Sequence, residues 1–92
     1  MVAKELILDV SMLEPPEPMM VALEAVDKLR AGEYVHLLHR QEPHLLYAQL
    51  MERGVRYIPI DGDRAPFELL IWRGDDPLAE STCTTYPGHS IA

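Results

Sequence analysis

The chain has 92 residues, 48% hydrophobic and 25% charged, a composition that suits one small globular domain. Fifteen acidic residues against eight Lys and Arg give a formal charge of −7, a field that repels phosphate backbones and sets nucleic acid aside as a partner. No apolar run approaches the roughly 20 residues of a membrane helix, the first residues lack a secretory-signal pattern, and the one cysteine excludes an internal disulfide or a multi-thiolate zinc site; a cytoplasmic protein is expected.

Lys4 to Val10 reads as a first strand, short and apolar. A proline-rich loop follows, and Pro18 suits the first turn of a helix, where a missing N–H costs nothing. Met19, Ala22, Leu23, Val26 and Leu29 then recur at helical spacing, with Glu24 and Lys28 placed for an i,i+4 pair and Gly32 as a stop. Glu33 to Arg40 alternates as a second strand. Glu42-Pro43 opens a second helix with the stripe Leu46, Tyr47, Leu50 and Met51, ended by Gly54. Val55 to Asp61 reads as a third strand, and Pro59 puts it at a sheet edge. Asp61-Gly62-Asp63 is turn chemistry before a fourth strand, Phe67 to Arg73. The order β-α-β-α-β-β predicts an α+β two-layer sandwich with two helices on one sheet face. The domain is expected to span residues 1–74, with 75–92 as a flexible tail; the alternative is an arm that folds back through Leu78, Tyr86 and Ile91.

The loop between the first strand and first helix, Leu8-Asp9-Val10-Ser11-Met12-Leu13-Glu14-Pro15-Pro16-Glu17-Pro18, resembles the signature of the TusA/SirA sulfur-carrier family: LD, a short gap, GL, one residue and CPxP. Leu8, Asp9, Leu13, Pro16 and Pro18 fall on that pattern; Met12 replaces its glycine and Pro15 its sulfur-accepting cysteine. PPEP here, with His39-Arg40-Gln41-Glu42-Pro43 and Leu46-Tyr47, is similar to an uncharacterised TusA-like group. The resemblance implies a mixed four-stranded sheet with the third strand at an edge. It implies no reaction, because proline has neither a nucleophile nor an N–H.

Three sets of residues are candidates for function. Glu14, Pro15, Pro16, Glu17 and Pro18 form a rigid helix entry with an acidic lip suited to a basic partner or a cation. Asp9, His39 and His44 would lie at one end of the sheet, where α/β sheets place ligands, and three N/O donors would suit Zn or Fe. No recognised metal spacing supports that set, and surface histidines are the commoner reading. Tyr34, His36, Leu38, Leu70 and Trp72 alternate onto the sheet face away from the two helices. An uncovered face of that kind marks a contact surface, for a protein partner or homodimer, unless the tail covers it.

Cys83 could act as a sulfur carrier on a flexible arm, but Asp75, Asp76 and Glu80 around it oppose a thiolate. No Ser/His/Asp set, phosphate-binding glycine loop or nucleotide fingerprint is present, which disfavours an enzyme. The reading preferred is a non-catalytic binding module with no predicted cofactor, ahead of a small metal-binding or redox protein and a divergent sulfur carrier.

Overall fold

The computed structural model describes residues 1–88, in seven elements: β1 (Lys4–Asp9), α1 (Glu17–Asp27), β2 (Glu33–His39), α2 (His44–Glu52), β3 (Val55–Ile60), β4 (Phe67–Arg73) and α3 (Pro77–Thr84). The strands form one mixed sheet in the order β1-β2-β4-β3. β1 runs parallel to β2, with Leu6 opposite Val35. β4 lies between β2 and β3 and is antiparallel to both, so that Ile71 faces Val35 on one side and Tyr57 on the other. The α+β class and the four-stranded mixed sheet are those expected. β3 is an edge strand, where a residue without an N–H is tolerated at Pro59.

The principal core forms where α1 and α2 cover one sheet face. Ala22, Val26 and Leu29 from the α1 stripe and its exit meet Leu46 and Leu50 of α2 over Val35, Leu37, Leu69 and Ile71. Each large aliphatic side chain removed from water there stabilises the fold by about 1.5–3 kcal/mol before chain entropy is counted. The expected pair of Glu24 and Lys28 forms at 3.3 Å but is largely exposed and worth only tenths of a kcal/mol, to order of magnitude. Gly54, at φ 69°, follows the last turn of α2 in the left-handed conformation that ends helices.

The segment expected as a flexible tail contains α3, which lies on the opposite face of the sheet. Two helices on one face therefore become three helices on two. Asp76 caps α3, accepting from the Ala79 N–H at 3.2 Å, and Pro77 occupies the first turn. The other Asp76 oxygen accepts from the Gly32 N–H at 2.7 Å, tying the helix start to the loop before β2. Farther along, Thr82 Oγ1 accepts from the Ala3 N–H at 2.9 Å, and Trp72 Nε1 donates to Glu80 at 2.8 Å.

Small Ala79 and Cys83 form the inner surface of α3 and complete a second core with Ala3, Tyr34, Ile60, Leu70 and Trp72. Tyr34, His36, Leu38, Leu70 and Trp72, expected on an open face, are all buried within the chain, with Tyr34, Leu70 and Trp72 in this second core. Leu78 and Tyr86 pack against this core as the fold-back alternative anticipated; Ile91 lies outside the described residues.

Candidate functional site

At the carboxyl ends of β1 and β2, the two helix entries enclose a cavity of about 290 Å³. Leu13, Pro16 and Met19 form one wall, and Pro43, Leu45 and Leu46 the other, with His39 and Arg40 also lining it. Asp9 shapes the first loop by accepting from the Ser11 N–H and hydroxyl at 2.9 and 2.6 Å, a side-chain-closed turn. Those bonds hold its carboxyl below the usual aspartate range. The Pro15–Pro16 peptide is cis. Arg40 Nη2 donates to Glu14 Oε2 at 2.8 Å, joining the loop after β2 to the loop after β1. On the α2 side, the Tyr47 hydroxyl donates to Glu42 at 2.9 Å while its ring stacks on Tyr57. Leu45 remains 81% exposed beside the cavity.

Of the predicted loop residues, Pro15, Pro16 and Pro18 line the cavity, and Glu14 bridges across to Arg40. Glu17 is exposed in the first turn of α1. The metal set is not assembled. Asp9 is engaged with Ser11, His44 lies 3.6 Å from Glu42, and His39 is only 8% exposed, on the helix side of β2 with Val35 and Leu37. Among the described residues, no three His, Cys, Asp or Glu side chains are placed to hold a metal ion. Gln41 N–H donates to His39 Nδ1 at 3.1 Å, so the neutral ring carries its hydrogen on Nε2. Burial, and secondarily the Arg40 charge, pushes His39 below the usual histidine value, keeping it neutral.

A second polar cluster lies beneath α3. His36 is 2% exposed, with Glu68 Oε1 at 2.6 Å from Nε2 and Glu5 Oε1 at 3.0 Å from Nδ1. The Tyr34 and Tyr86 hydroxyls both donate to the same Glu5 oxygen at 3.0 Å. Glu68 Oε2 accepts from the Arg64 and Ala65 N–H groups at 2.8 and 3.2 Å. Burial raises both carboxyls, but these hydrogen bonds outweigh it and both lie below the usual glutamate range. Gly62 packs so close that a Cβ there would strike the Glu68 carboxylate. Cys83, fully buried nearby, is pushed up to about 12, by burial first and then by Glu80, Asp76 and Glu5.

Glu5 and Glu68 escaped the sequence reading, although an acid inside the apolar run FELLIWR is a detectable irregularity. The register supplies what sequence lacks: Glu68 and Leu70 share a face, and His36 pairs with Leu70. No curated protein and no solved structure matches the chain. A match over residues 7–73, from β1 through β4, places the chain in the family described as uncharacterized conserved protein (DUF2249).

Proposed function

We propose that this chain is a non-catalytic, cytoplasmic binding module, similar to the TusA/SirA sulfur carriers, which engages a protein partner through the proline-lined cavity between the entries of α1 and α2. The observation that carries this reading is the cavity itself: apolar, at the carboxyl ends of paired parallel strands, with Leu45 left exposed beside it. Support for the TusA likeness comes from the placement of Leu8, Asp9, Leu13, Pro16 and Pro18 and from the element order through β4. Pro15, at the sulfur-accepting position, leaves this loop without a nucleophile. Because α3 covers Tyr34, Leu70 and Trp72, the loop and not that face carries the partner reading.

A photo-crosslinking residue at Leu45 in the native host tests the proposal. We expect a discrete adduct with a partner protein that disappears when Leu13→Asp charges the cavity wall. The same adduct from Met51, an exposed position farther along α2, or none from Leu45, would refute the reading.

A further inference from the structure

The entry of α1 is poor in the donors by which helix starts hold anions, with only the Met19 N–H left over among the described residues. Pro15, Pro16 and Pro18 have no N–H, the Glu17 N–H donates to the Glu14 carbonyl at 2.9 Å, and that of Met20 to the Pro16 carbonyl at 3.2 Å. The entry of α2 is similar: Pro43 has none, the N–H groups of His44 and Leu46 go to the Glu42 and Pro43 carbonyls at 3.0 Å each, and only that of the exposed Leu45 is left over among the described residues. Arg40 is committed to Glu14, and Glu17 adds negative charge at the start of α1. A phosphate or carboxylate would meet a donor-poor, acidic surround. One buried side-chain donor remains. His39 Nε2–H has no partner among the described residues, on a ring more than nine-tenths buried that lines the cavity. A buried donor left unpaired is costly, and a neutral acceptor from a ligand would relieve it.

We infer that the occupant is an extended peptide segment of a protein partner. Its apolar side chain fills the cavity, a backbone carbonyl accepts from His39 Nε2–H, and a basic neighbour lies toward Glu17. The cavity of about 290 Å³ is at or below the small end of ligand pockets, which suits one anchoring side chain better than a cofactor. A basic neighbour answers both Glu17 and the chain's charge of −7. The inference rests on the binding-module reading and adds to it the chemistry of the occupant.

The test is an NMR titration of the isotope-labelled full chain with N-acetyl-Leu-Lys-amide, N-acetyl-Leu-Glu-amide and inorganic phosphate. The lysine peptide is expected to shift the amides of Leu13, Met19 and Leu46 and the His39 Nε2 resonance together, and to bind more tightly than the glutamate peptide. His39→Phe, which keeps an apolar ring without the donor, is expected to weaken the lysine peptide roughly three- to tenfold. If that variant fails to fold, the Nε2 resonance of the unaltered protein still decides the matter. Shifted wall amides with an unmoved Nε2 and an undiminished His39→Phe would overturn carbonyl recognition while leaving the cavity a binding site. No shift with either peptide would overturn both readings, and a response to phosphate alone would identify an anion site instead.

Discussion

Two carboxylates confront the buried ring of His36, one at each ring nitrogen. Removing the ring would leave Glu5 and Glu68 without their shared partner in the second core. We therefore expect His36→Leu to lower unfolding free energy by about 1–3 kcal/mol at neutral pH, the range for leaving buried hydrogen-bonding groups without their partner. The loss should shrink in acid, where the carboxyls take up protons; urea titrations at two pH values would measure it.

The unaltered protein has a related acid response in two windows. His39 is held below the ordinary 6.5, so as pH falls below 6.5 the unfolded chain binds a proton that the buried ring resists, and stability declines. Glu5 and Glu68 are held below the ordinary 4.5; their contribution is complete above 4.5 and is lost as pH falls through their folded values. His39→Phe should remove the upper stage of decline and leave the lower. A single-stage profile unaffected by that variant would contradict the assignment. Little of this could be read in advance. The alternation of β2 places His36 on the sheet face away from α1 and α2, but its partners come from β1 and β4, and only the strand register brings them to the ring.

At the scale of elements, α1 and α2 are legible because their apolar residues repeat at 3.6-residue spacing, and Gly54 ends α2 as expected, whereas α1 stops at Asp27 with Lys28 as its cap, before the expected stop at Gly32. α3 has no comparable stripe. Its inner surface is formed by Ala79 and Cys83, too small to stand out in a hydropathy pattern, although Asp76-Pro77 is a helix-start signal that the sequence does carry. Asp76 serves both as the cap and as an acceptor for Gly32 N–H. Asp76→Ala should cost about 0.5–2 kcal/mol for the cap alone. Hydrogen exchange should show faster exchange in α3 with protection in β2 and β4 retained; unchanged α3 protection would mean that the cap is dispensable. The loop cavity is legible only in part: its prolines and His39 stand out in the sequence, but Arg40 bridging to Glu14 depends on a contact between loops and the His39 tautomer on the local path of the chain at Gln41.

For the whole molecule, α3 decides whether the sheet has one protected face or two. Shortening the chain after Gly74 would expose Tyr34, Leu70 and Trp72 together, a contiguous apolar surface of the kind that drives association. The shortened chain should dimerise or aggregate in sedimentation experiments while the full chain remains dispersed under the same conditions. A dispersed, folded short form would show that the second core is unnecessary for solubility. The family match ends at residue 73, before α3, so the matched region alone would leave this face unprotected.

Trp72 is the sole tryptophan of the chain, 2% exposed, with its indole N–H bonded to Glu80 across the boundary between sheet and third helix. The protein thus carries an intrinsic optical reporter at the boundary that matters most for its surface. Lifting α3 would hydrate the indole and move its emission to longer wavelength, whereas events confined to the proline-lined cavity on the other side of the sheet would leave it unchanged. One fluorophore, with no label added, therefore separates helix detachment from ligand entry.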